Sequence, residues 1–386
     1  MPTGAAASGS TLNPIEIPLG LYVHYPWCVA KCPYCDFNSH AGQRSDEAYA
    51  EALLMQLDVA LALSAPRPIK TIFFGGGTPS LMPPNLVAAV VERLQRQDRS
   101  APAEVTLEAN PGAVDEAKFA AFVDAGVTRF SIGVQSFNPK HLAALGRIHN
   151  PEEALSAIAA VQRLGVRLNI DLMYGLPKQT LAEAMADLQQ ALSLGLSHVS
   201  WYQLTLEENT PFYHRPPPVP DDDTLAEFAD QGRALFAEEG FERYEVSAYG
   251  KDGERCLHNL NYWQFGDYLG VGAGAHGKLS DENGVWRYRS RAQPAAFIRE
   301  IQSGAHWASV EQVAASDLPF EFMLNALRLS EGVSAERFVA HTGLSLSVIE
   351  QSMQRGQAKG LLQQWPDRIQ TTERGLDFLF DTLELF

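Results

Sequence analysis

Three cysteines span eight residues in His24-Tyr25-Pro26-Trp27-Cys28-Val29-Ala30-Lys31-Cys32-Pro33-Tyr34-Cys35, a C-x3-C-x2-C spacing that directly follows an apolar run. Three thiolates with no local fourth can ligate three irons of a 4Fe–4S cube, leaving the last iron open to a small molecule. An open coordination position is where metal chemistry takes place. A second reading uses the same residues. A structural zinc site wants four ligands, and since Cys256 is remote, His24 or His40 would have to supply the fourth. Disulfide pairing fits less well, because three clustered thiols cannot pair evenly.

Other polar residues recur at the ends of apolar runs. Gly75-Gly76-Gly77-Thr78-Pro79 lets a backbone approach a ligand closely, and it is neither a Walker A loop nor a spaced G-x-G-x-x-G. Glu108 stands in Leu107-Glu108-Ala109-Asn110-Pro111, Gln135 in Gly133-Val134-Gln135-Ser136-Phe137 and Asp171 in Asn169-Ile170-Asp171-Leu172-Met173. One such residue would read as a satisfied core polar group. Three beside a cysteine loop and a glycine loop fit a bound polar ligand better, since a buried polar group without a partner is costly. Arg147 can pair with a ligand carboxylate through its fork or sit in a surface ion pair.

These residues need elements to hold them. Short apolar runs at 21–25, 71–74, 105–109, 130–134, 166–173 and 198–206 alternate with amphipathic stretches. Near-continuous, β-branched runs are those of strands covered on both faces. Strand then helix, repeated six times, predicts right-handed βαβ units and a parallel sheet. Every candidate falls at the C-terminal end of a strand, which favours an incomplete (β/α)6 TIM-like barrel over an open doubly wound sheet. The prolines at 211–220 break the pattern. We expect a disordered tail over 1–20, the barrel core over 21–215, a flanking β and loop region over 216–309, and a smaller α+β, winged-helix-like domain over 310–386.

Composition narrows the function classes. A net charge of −16 argues against a large nucleic-acid surface. No apolar run approaches the roughly 20 residues that cross a bilayer. Four cysteines in 386 residues suit a reducing cytoplasm, and MPTGAAASGSTLNP looks unlike a targeting peptide.

Taken together, the cysteine spacing with an aromatic before its last member, GGGTP, LEANP and GVQSF resemble the radical S-adenosylmethionine (SAM) superfamily. More narrowly they resemble the branch that holds oxygen-independent coproporphyrinogen III oxidase and heme chaperones. CPYCDFNSH, LGRIH, DLMYGLP, WYQLT, HNLNYW and FGDYLGVGAGAHG are similar to the chaperones. The resemblance implies that Cys28, Cys32 and Cys35 hold a 4Fe–4S cluster and that SAM chelates the open iron. Gly76, Gly77, Thr78, Tyr22, Tyr34 and Glu108 would form its pocket, while Gln135, Arg147 and Asp171 match a second SAM position of the oxidase. In the superfamily the reduced cluster donates an electron to the sulfonium and releases a 5′-deoxyadenosyl radical.

Two departures from the oxidase bear on function. Asp36 and Phe37 stand where the oxidase has Gly-Cys, and only about 20 residues precede the first strand, without the oxidase's longer closing segment. Cys256-Leu257-His258-Asn259-Leu260-Asn261-Tyr262-Trp263 matches the HNxxYW motif associated with heme in this branch. His258 is thus the candidate heme ligand, with Cys256 and His276 as competitors. The expected function is binding heme and transferring it to acceptor apoproteins in the cytoplasm. The monomer or a homodimer could do this, with no nucleic-acid or membrane-embedded partner. The alternatives are the coproporphyrinogen III oxidase reaction and, further off, radical methyl transfer.

Overall fold

The computed structural model describes residues 12–386 apart from 43, 65 and 98–101. Six parallel strands carry the core: β1 (Leu19–Tyr25), β2 (Ile69–Gly76), β3 (Glu104–Ala109), β4 (Arg129–Gln135), β5 (Arg167–Tyr174) and β6 (His198–Gln203). They pair in that order. β1 and β6 border other strands instead of each other, so the barrel stays open. Between them run α1 (Asp46–Ser64), α2 (Pro84–Gln97), α3 (Glu116–Asp124), α4 (Pro151–Leu164) and α5 (Leu181–Leu192). Local chemistry starts these helices. The Asp115 side chain accepts from Lys118 N–H, and Asn150/Glu153 and Thr180/Glu183 form reciprocal capping boxes.

Alternation along the strands sorts the side chains. On β1, Leu21, Val23 and Tyr25 are fully buried in the apolar layer with Leu53, Leu57, Ile72 and Phe74. The intervening Tyr22 and His24 face the barrel interior, as do Glu104 and Glu108 on β3 and Asn169 and Asp171 on β5. The outer face thus supplies the hydrophobic core, and the inner face is polar.

Residues beyond 215 do more than flank the barrel. α6 (Asp222–Glu238) is followed by β7 (Glu242–Arg243) and β8 (Ala248–Gly250), which extend the sheet antiparallel from β6. A short helix, α7 (Leu257–Trp263), follows. Then β9 (Asp267–Val271) pairs in parallel with β1, and β10 (His276–Asp281), β11 (Gly284–Arg289) and β12 (Ser309–Gln312) continue antiparallel from it. The result is one sheet of twelve strands.

The expected tail needs a correction. Residues 1–11 lie outside the described residues, but Pro14–Glu16 forms a 3-10 turn, and Ile17 and Leu19 are buried. Arg67 holds this stretch by donating to the Ile17 carbonyl at 2.7 Å.

The C-terminal helices Leu318–Ala326, Ala335–Thr342 and Glu350–Ala358 enclose a second core around Phe322, Phe338, Met353 and Ile369. A small ribbon pairs Val333–Ser334 with Arg368–Ile369. This core also takes in Phe265 and Val285, so it closes onto the extended sheet.

Candidate functional site

At the C-terminal ends of the strands, Trp27–Cys28 pairs in parallel with His40–Ala41, closing the cysteine segment into a clamped loop. The glycine loop abuts it. Gly77 N–H donates to the Tyr25 carbonyl at 2.8 Å, and a Cβ on Gly77 would lie 2.7 Å from the Trp27 carbonyl oxygen. Gly76 has φ +122°, with a would-be Cβ 2.8 Å from the His24 ring. Only glycine lets the end of β2 approach the cysteine loop this closely.

Cys28, Cys32 and Cys35 are free thiols lining one cavity of about 320 Å3. Each sulfur has a polar neighbour: Thr78 Oγ1 at 3.5 Å from Cys28, an Arg147 nitrogen at 3.8 Å from Cys32, and Ser39 Oγ at 3.9 Å from Cys35. Burial raises the Cys28 and Cys35 pKa values, so the positive charge of bound iron would be needed to hold them as thiolates. Among the described residues, no three metal-ligating side chains already converge on one point. The donor set fits a cluster held by three cysteines, while the loop is not a finished cage. His24 and His40 do not complete a zinc site either. His24 is bonded to Tyr22 and to the Asn38 carbonyl, and His40 to the Asn38 side chain.

The same cavity gathers Tyr34, Gly76, Gly77, Thr78, Glu108, Gln135, Arg147 and Asp171, as their positions along the chain predict. Gly76 N–H donates to Glu108 at 3.3 Å. Desolvation, then the nearby Asp171, push the Glu108 pKa up to about 8. Asp171 accepts from Asn169 at 2.8 Å and Ser131 at 3.1 Å, and burial raises it too. Arg147 donates to the Gly133 carbonyl at 2.7 Å, yet its Nε is buried without a partner, as is Asn110 Oδ1. Both residues line the cavity, where the bond each atom lacks is open to a polar ligand. Gln135 has φ +68° and accepts from Tyr202 OH at 2.8 Å. A non-glycine residue in the left-handed region is strained, and such strain clusters at binding sites.

Two expected residues lie elsewhere. Tyr22 borders not the cysteine cavity but a second one, and burial holds its phenol well above its ordinary pKa. His258 borders neither. It is fully buried on α7, stacked on Phe73, with Nδ1 2.8 Å from Thr71 Oγ1 and Nε2 2.9 Å from Tyr262 OH. Desolvation lowers its pKa to about 3. With both nitrogens spent, His258 offers heme iron no lone pair in this arrangement. Cys256 is also withdrawn: it donates to Glu104 at 3.5 Å, and burial pushes its thiol up to about 12.

The reason is that α7 plugs the floor of the barrel. Glu104, at the start of β3, accepts the backbone N–H groups of Leu257 and His258 at 3.2 and 3.1 Å. From there Asn259 reaches the cysteine cavity, while Tyr262 and Trp263 line the second one. The second cavity, about 630 Å3, shares Phe37, Gly76 and Glu108 with the first.

The sequence reading missed Arg129, Ser131, Ser200 and Tyr202, which also line the cysteine cavity. A signal was present, because Arg129-x-Ser131 and His198-x-Ser200-x-Tyr202 place polar residues at every second position, on one face of a strand.

Comparison with known proteins agrees with this architecture. The chain matches the Radical SAM superfamily over residues 22–191 and the HemN C-terminal domain over 313–378. It is 47% identical to the heme chaperone HemW of Escherichia coli over 374 residues, 96% of this chain and 98% of that protein. The HemW of Haemophilus influenzae is 45% identical, with the same coverage. A mitochondrial radical S-adenosyl methionine domain-containing protein 1 from Bos taurus is 39% identical over 82% of this chain and 75% of its own length. Among solved structures, the coproporphyrinogen III oxidase HemN of Escherichia coli superposes with a TM-score of 0.80, covering 96% of this chain and 90% of the oxidase. At 19% identity that likeness is one of fold. Identity of this order over almost the whole length places the chain in the HemW family of the radical SAM superfamily.

Proposed function

We propose that this protein is a heme carrier that binds heme and hands it to an acceptor apoprotein in the cytoplasm. Cys28, Cys32 and Cys35 would hold a 4Fe–4S cluster, with SAM received by Tyr34, Gly76, Gly77, Thr78 and Glu108. Gln135, Arg147 and Asp171 would form a second SAM position. The cluster and SAM, when bound, supply the superfamily's reductive chemistry. The chain's own part is positional. The glycine loop presents bare backbone to the ligand, Glu108 keeps a proton at the boundary between the two cavities, and Arg147 offers an unspent N–H beside Cys32.

The observation that carries the carrier reading is the second cavity. It is wide and aromatic-lined, opens beside the cysteine cavity and is walled by the HNLNYW helix. Large, mostly apolar clefts of about 300–1,000 Å3 with a few placed polar groups are the usual form of small-molecule sites. The HemW relatives are named as heme chaperones, which agrees with it.

The test uses anaerobically reconstituted protein with SAM, a strong reductant and coproporphyrinogen III. 5′-Deoxyadenosine and porphyrin products are followed by chromatography beside a known oxidase. The carrier reading expects no protoporphyrinogen and saturable hemin binding. Protoporphyrinogen formation would make the chain an oxidase.

A further inference from the structure

Resting on the carrier reading, we propose that heme lies in the second cavity with His276 as its axial iron ligand and one of its carboxylates on Arg287. Heme asks three things of a site: apolar walls for a flat macrocycle, a neutral nitrogen aimed at the iron, and N–H donors for its carboxylates. Tyr262 and Trp263 on α7 and the exposed Phe37 provide the walls.

Histidine availability selects the ligand. Of the two cavity-lining histidines, His24 has both ring nitrogens occupied, by Tyr22 OH at 3.0 Å and the Asn38 carbonyl at 2.8 Å. His276, at the start of β10, is exposed, and among the described residues its ring makes no hydrogen bond. Partial desolvation of the ring against the cavity, then Arg289 and Arg287, lower its pKa, which keeps the lone pair that iron needs. The HNLNYW helix would therefore act as wall and floor, with its own histidine tied to Thr71 and Tyr262.

The cations divide in the same way. Lys278 is consumed by Asp267 at 2.8 Å and by the carbonyls of Phe265 and Gly266. Arg287 gives Nε and one terminal N–H to Glu321 and another to Tyr268 OH, so three of a guanidinium's five N–H groups are committed. The other two remain for a carboxylate. Asp36 is the anionic residue on the same cavity, at the cysteine-loop side, while desolvation raises the Glu108 pKa to about 8. The carboxylate edge of heme should thus point away from Asp36 and toward Arg287.

The experiment titrates hemin into full-length wild type, His276→Ala and His258→Gln, reading absorption and resonance Raman spectra along with affinity. His258→Gln keeps a polar partner for Thr71 and Tyr262. We expect an imidazole-ligated spectrum for wild type and for His258→Gln. His276→Ala should lose that signature, and its hemin Kd should rise by at least about tenfold, the scale on which metal-site partners act. External imidazole should restore the signature. A His276→Ala spectrum and affinity that overlay wild type would overturn the assignment, as would loss of the signature in His258→Gln alone. Absence of hemin binding in wild type would instead overturn the carrier reading itself.

Discussion

Glu108 shows how one side chain can link the two cavities. Its carboxyl borders both, yet desolvation outweighs the single Gly76 N–H that favours its charge, and the pKa climbs to about 8 from an ordinary 4.5. Between those values the folded chain keeps a proton that the unfolded chain has lost. The group's stabilising contribution is therefore complete at low pH and declines as pH rises through the window. Glu108→Gln removes this dependence. Before any ligand is added, it should be more stable than wild type at pH 8 by on the order of 2 kcal/mol, after discounting for the cavity beside it. At pH 5 the two should nearly coincide. Urea unfolding at both values checks this, and an equal offset at pH 5 and pH 8 would contradict it.

At the scale of elements, the HNLNYW helix owes its place to β3. Glu104 is fully buried, receives the first N–H groups of α7, and is paired with Arg167 at 2.8 Å. A carboxylate at a helix N-terminus meets free donors and the positive end of the dipole. Removing it leaves the helix donors short of a partner, while Arg167 keeps Glu254 at 2.6 Å. Glu104→Ala should cost roughly 1–3 kcal/mol, the range for leaving buried donors unsatisfied, measurable by chemical denaturation. A loss under about 1 kcal/mol would mean that α7 is held by its packing alone. The strands around it were legible from apolar runs, and the end-of-strand positions of Glu108, Gln135 and Asp171 followed from them. The polar inner face was only half read. Arg129, Ser131, Ser200 and Tyr202 share its period of two, a pattern that marks one face of a strand without marking which of its residues line a cavity.

Across the whole molecule, the C-terminal core reaches the extended sheet through Phe265, which packs its ring 5.3 Å from Phe322. Phe265 also lines the second cavity and gives its carbonyl to Lys278 at 3.1 Å. The C-terminal helices thus buttress a wall of the second cavity, the proposed heme site. Phe322→Ala should destabilise the protein by about 3–5 kcal/mol through the space it leaves. It should also weaken hemin binding, because Phe265 loses its backing. Thermal unfolding and hemin titration of the same variant test both, and unchanged hemin affinity would separate the C-terminal core from the cavity.

By itself the sequence determined what is local: the cysteine spacing, the glycine loop, the helix caps and six apolar strands whose polar ends must meet at one rim. Local signals suffice there because strand alternation and βαβ handedness leave few arrangements open. The tertiary structure alone decided the rest. The strands between 267 and 312 join the barrel's sheet by pairing with β1, a partner remote along the chain, and such pairings leave little trace in local composition. It also decided which histidine has a free nitrogen. His258 and His276 both sit in motifs that suggest a ligand, but hydrogen bonds from Thr71 and Tyr262, residues 187 and 4 positions away, occupy the first and leave the second open.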